Sequence, residues 1–168
     1  MWRKAAVLIL VVPAVLLAGC GSDDGDDAAS TTASTPPECE IVGGTDADPV
    51  AEVHVTLEEW KVTPDVATVA AGVVRFEAKN LGNDDHELVL VKGAKPAQLT
   101  ITAEGLDEQA LPAGAEVLGE IEGFPSGETC AGAFALTPGD YALVCNIVDA
   151  SEHEAHAQEG MVTAFTVT

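Results

Sequence analysis

A cysteine, a histidine and a methionine follow one another near the end of the chain as Cys145, His156 and Met161, and a second histidine, His86, stands upstream after Asn83, Asp84 and Asp85. A thiolate, two imidazoles and a thioether suit a soft, redox-active metal, copper above all. A trigonal site of two imidazoles and a thiolate with a weak axial thioether needs these four side-chain types. It also needs three of them on one loop between adjacent strands, which Cys145 to Met161 supplies. Singly, each residue has a plainer reading: Cys145 and Met161 as core packing, His86 as a surface histidine beside acids. Together they point to one-electron chemistry. The chain has two further histidines, His54 and His153.

Such donors need a rigid scaffold, and the sequence reads as strands. Glu52, His54, Thr56 and Glu58 alternate with Val53, Val55 and Leu57, the period of a half-buried strand, with His54 on its polar side. From Val73 to Lys79 the alternation places Val74, Phe76 and Ala78 on one face, between turn residues Gly72 and Asn80, Gly82, Asn83. Further strands are expected over Glu87 to Val91, Ala133 to Leu136, Tyr141 to Ile147 and Val162 to Val167, with a turn at Thr137, Pro138, Gly139 and Asp140. Many short strands separated by turns predict an all-β sandwich or barrel. Lys92 to Gly123 is the exception: Ala103 to Ala110 reads as one or two helical turns and the rest as loop.

The N-terminus sets the compartment. Arg3 and Lys4 precede an apolar run ending Leu17, Ala18, Gly19, Cys20, the pattern of a secretory signal over residues 1–19 and too short to span a bilayer comfortably. Its last four residues resemble the lipobox of bacterial lipoproteins, which implies a lipidated Cys20 and a membrane-anchored, extracytoplasmic protein. Residues 20–38 carry four aspartates with Ser, Thr, Ala and a Pro36–Pro37 pair and have no large apolar side chain, so they read as a disordered tether. Residues 39–168 are the right size for one domain. Without Arg3 and Lys4, five basic residues face 28 acidic ones, a net charge of −23. Nucleic acid is therefore a poor partner and a basic protein a favoured one.

The domain resembles the cupredoxins, the blue-copper β-sandwiches, over nearly all of 53–168. The resemblance is carried by Glu59-Trp60 before a Pro-Asp, the Gly72 to Asn80 strand, His86-Glu87-Leu88, Pro138-Gly139-Asp140-Tyr141, Cys145-Asn146-Ile147, and the spacing of His156 from Met161 with Gly160 before the methionine. It implies a Greek-key sandwich with one long loop or short-helix excursion and one copper ion held by His86, Cys145, His156 and, axially, Met161. It implies electron transfer without a transformed substrate, His156 as the electron port, and a basic redox partner such as a cytochrome or oxidase domain. Asp84, Asp85, Glu87, Asp149, Glu152, Glu154 and Glu159 would steer that partner. The default oligomeric state is a monomer.

One departure stands out. Ten residues separate Cys145 from His156, many more than the family uses, and Ile147 to Ala155 brings in Asp149, Glu152, Glu154 and His153. If Ser151 to Gln158 forms a helical turn, His153 and His156 share a face, and His153 is an alternative ligand. With Cys20 on lipid and Cys145 on metal, as the two resemblances imply, Cys39 and Cys130 remain for a disulfide in an oxidising compartment. A rival pairing with Cys145 stays open and would abolish the site. Two other functions use the same sequence: a copper buffer or delivery protein, and a metal-free binding module with Cys145 and Met161 in its core. A copper oxidase or nitrite reductase is disfavoured, because those enzymes resemble several such domains with more histidines.

Overall fold

The alternating runs become strands in the computed structural model, which describes residues 39–168. The signal sequence, Cys20 and the tether lie outside the described residues. The strands are β1 (Ile41–Val42), β2 (Ala51–Glu58), β3 (Lys61–Pro64), β4 (Thr68–Val69), β5 (Gly72–Asn80), β6 (His86–Lys92) and β7 (Ile101–Thr102). There follow β8 (Gly105–Leu106), β9 (Glu116–Phe124), β10 (Thr129–Leu136), β11 (Gly139–Val144), β12 (Val148–Asp149), β13 (Glu154–Ala155), the short helix α1 (His156–Glu159) and β14 (Val162–Val167). Six strands form one sheet in the order β1-β9-β6-β11-β14-β4, and four form the other in the order β10-β5-β2-β3. Neighbours distant in sequence, such as β6 beside β11, require the chain to cross between sheets, and the result is the expected all-β sandwich.

The period of two decides what lies between the sheets. Val53, Val55 and Leu57 of β2 and Val74, Phe76 and Ala78 of β5 are buried with Leu88, Leu90, Ile121, Tyr141, Leu143 and Phe165 of the larger sheet in one core. Phe76 sits edge-on to Phe134 and Phe165, with ring centroids 6.2 and 5.6 Å away, contacts worth about 0.5–1.5 kcal/mol each beyond area burial. Cys39 is joined to Cys130 of β10 by a disulfide, so the pairing with Cys145 is not made.

β6 and β11 are buried on both faces. Val89, Val91, Ala142 and Val144 point away from the main core into a second cluster with Ala94, Leu106 and Ala157, against which Leu99, Ile101, Leu111 and Ala115 pack. The excursion between β6 and β9 thus covers the outer face of the larger sheet, which explains the unbroken apolar runs of these two strands. Three expectations are corrected. Glu116–Phe124, expected as loop up to Gly123, is the nine-residue strand β9, paired with both β1 and β6. Within Ala103 to Ala110 only Glu108–Ala110 is helical, as a 3₁₀ turn, because 105–106 pair with 101–102 instead. β11 stops at Val144 rather than Ile147, since the Asn146 N–H is drawn to the Glu87 carboxyl at 2.8 Å.

Candidate metal centre

Each donor is delivered by a different local device. The chain reaches His86 through a loop organised by Asn80, fully buried, whose Nδ2 donates to the carbonyls of Asp84 (2.8 Å) and Phe124 (3.2 Å) while its Oδ1 accepts from Gly82 N–H (2.9 Å). His86 then opens β6, and the register against β9 slips between His86 and Leu88. Such a bulge frees a backbone donor. Here it is Glu87 N–H, which donates to Cys145 Sγ at 3.5 Å. Cys145 follows β11, and its N–H donates to Met161 O at 2.9 Å; Met161 N–H in turn donates to His156 O at 2.9 Å. Backbone bonds therefore tie the three C-terminal residues into one unit at the head of β14.

All four side chains are buried: His86, Cys145 and Met161 at 0% exposure and His156 at 2%. His86 Nδ1 lies 3.2 Å from His156 Nδ1 and 3.8 Å from Cys145 Sγ, and His156 Nδ1 lies 3.5 Å from that sulfur. His86 is no surface histidine, and Cys145 is no disulfide partner. Burial pushes the Cys145 thiol up to about 12, against the pull of the Glu87 and Ile147 backbone N–H groups. Burial and then the nearby His156 hold the His86 imidazole below the ordinary histidine range, with Glu59 opposing. Partial burial raises the Glu59 carboxyl, but N–H donors from Asp84 and Asn83 outweigh it and the net shift is downward. Burial thus favours the uncharged forms of the His86 imidazole and the Cys145 thiol. A soft cation that displaces the thiol proton would satisfy these two and His156, and the donor chemistry fits one copper ion.

The ten-residue insertion does not separate the donors. It folds back on itself: Val148–Asp149 pairs with Glu154–Ala155, and His156 N–H donates to Ile147 O at 2.9 Å, so the loop is pinched at its neck. At its tip Asp149 Oδ1 accepts from the backbone of Ser151 (2.7 Å) and Glu152 (3.1 Å), an Asx turn. The helical turn expected over Ser151 to Gln158 is confined to His156–Glu159. His153 stands outside it at the tip, exposed, with φ 61°, and does not join the donor group. Glu87 is also displaced from its expected place on the acidic rim. Its carboxyl turns inward to Asn146, and burial pushes it up to about 7.

Residues that the sequence did not single out also reach the centre. Glu59 Oε1 lies 3.3 Å from His86 Nε2, and Trp60 packs edge-on to His156 with centroids 5.2 Å apart. The Glu59-Trp60 pair carried part of the family resemblance, yet no role followed from it. A second group, Glu52, His54 and Glu77, has metal-binding geometry on the outer face of β2 and β5, but it is solvated and the Arg75 guanidinium already contacts both carboxylates.

The two sheets and their strand order have the cupredoxin-like fold. Solved structures with this fold include auracyanin B, 22% identical, TM-score 0.53, matched over 74% of this chain and 94% of that one. Dithionite-reduced auracyanin from Roseiflexus castenholzii is 18% identical with TM-score 0.50, over 73% and 99%. Auracyanin A from Chloroflexus aurantiacus, described as a "blue" copper protein, is 23% identical with TM-score 0.48, over 72% and 100%. No protein-family profile matches the chain, and no curated protein matches it.

Proposed function

We propose that this protein is a single-electron carrier with one type 1 copper ion, which His86, Cys145, His156 and Met161 would hold. The observation that supports it most directly is the convergence of two Nδ1 atoms and one Sγ within a buried space. Bound there, copper supplies a one-electron couple at a potential that biological partners can reach. The protein's own part is rigidity. His86 opens one strand, and Cys145, His156 and Met161 lie on the backbone-bonded segment between two neighbouring strands of the same sheet, so little has to move when charge changes. The Glu87 N–H bond to Sγ stabilises thiolate charge and orients the sulfur.

A cleft lined by Asp84, Asp85, Ile147, Val148, Asp149 and Ser151 leads to His156 and is the proposed electron port. With Glu87 facing inward, the rim that would attract a basic cytochrome or oxidase domain consists of Asp84, Asp85, Asp149, Glu152, Glu154 and Glu159. Lipid on Cys20 and the tether over 20–38 would hold the domain outside the cytoplasmic membrane.

The test separates a carrier from a copper buffer or delivery protein. The copper-loaded protein is cycled between oxidation states in the presence of a cuprous chelator, and electron self-exchange is followed by NMR line broadening. A carrier keeps its copper in both states and exchanges electrons rapidly. Loss of copper to the chelator on each reduction would overturn the carrier assignment.

A further inference from the structure

The two-residue turn between β2 and β3 consists of Glu59 and Trp60, and both side chains reach the ligand imidazoles. Glu59 Oε1 accepts N–H from Asn83 at 2.6 Å and from Asp84 at 3.0 Å, which fixes the carboxylate beside His86. From there it stands 3.3 Å from His86 Nε2. That nitrogen is buried and makes no well-aligned hydrogen bond. The distance is within ion-pair reach but the alignment is not that of a hydrogen bond, so the contact is electrostatic. Space for it is kept by Gly82: a Cβ there would collide with Glu59 Oε1 and stand 2.6 Å from His86 Nε2.

Resting on the copper assignment above, we infer that Glu59 is a positioning residue for the metal centre, a carboxylate that holds the His86 proton on Nε2 and so presents a bare Nδ1 to the ion. A carboxylate behind a ligand histidine fixes its tautomer and makes it a stronger donor. The uncompensated negative charge also favours the more positive oxidation state, Cu(II), over Cu(I). Losing such a partner typically costs 10–100-fold in metal affinity. If that loss falls on Cu(II), Glu59→Gln raises the reduction potential by about 59–118 mV, at 59 mV per tenfold for one electron.

Two measurements test this, one without copper. In the metal-free full chain, nitrogen-15 NMR of His86 is expected to show Nε2–H with a bare Nδ1. The Nδ1–H tautomer would overturn the inference, and this result stands even if Glu59→Gln fails to fold. In the copper-loaded protein, Glu59→Gln should retain the visible band and raise the potential by the amount above. Glu58→Gln, which removes the same charge from an exposed neighbouring position, should leave the potential within a twofold change in the Cu(II)/Cu(I) ratio. A Glu59→Gln potential within that same twofold of the parent would overturn the role. If the parent itself showed no visible band, the copper assignment would fail, and the NMR result would still decide whether Glu59 orients His86.

Discussion

Among the described residues, two groups of side chains have the spacing to hold a metal ion, and their surroundings are opposite. Glu52, His54 and Glu77 project from the solvated face of β2 and β5. Their charge is met by Arg75, which reaches both carboxylates, and His54 Nδ1 adds a 3.3 Å contact to Glu77. His86, Cys145, His156 and Met161 are buried, and among the described residues no Lys or Arg is buried with them. The first group is open to solvent and already paired with a guanidinium, so an ion would have to compete with Arg75 and with water. The second has desolvated donors that face one another rather than water, and an ion held between them would take the place of those contacts. Ligand types in proximity are common; burial without a cationic side chain is what singles out the proposed metal centre.

The comparison can be broken most directly by exchanging a histidine in each group. His86→Ala is expected to abolish the visible copper band, whereas His54→Ala should leave band and stoichiometry unchanged in an optical titration. Next in size is a contrast within β5. Phe76, fully buried, is expected to cost about 3–5 kcal/mol on truncation to alanine, measured by urea unfolding with the disulfide intact. Copper loading should depend on pH by a smaller amount. Burial keeps the Cys145 thiol protonated up to about 12, so binding must release that proton. Between about pH 7 and 9 the affinity should therefore rise about tenfold per unit of pH, and a competition titration at several pH values checks it. The smallest effect is expected at Arg75, next to Phe76 on the solvated face. Arg75→Ala should cost about 1 kcal/mol or less and leave copper binding unaltered, as measured by the same unfolding and titration experiments.

Much of this was legible in the sequence where one face of a strand meets the core and the other meets water. The alternation over β2 and β5 and the bounds of β14 were readable because packing and period agree. β9 was not, because Gly119, Gly123 and three glutamates weaken its strand signal. Gly119 is needed there for a tertiary reason: a Cβ would strike Val42 O and the Phe134 ring. The buried group of candidate donors was legible from residue type and order. The choice of His156 over His153 was not, since it depends on a hairpin that closes the loop at Ile147. Glu59 stayed hidden for a related reason. Its neighbour His86 lies 27 residues on in sequence, and only the β2–β3 turn and the Asn80-ordered loop bring the two together.

The most direct test of the copper centre is the visible absorption spectrum of the purified protein titrated with cupric ion, beside a Cys145→Ser variant. The arrangement of donors predicts one equivalent bound with an intense thiolate-to-copper band that is missing from the variant. A fully loaded protein that stays colourless, or a band that survives in the variant, would contradict it.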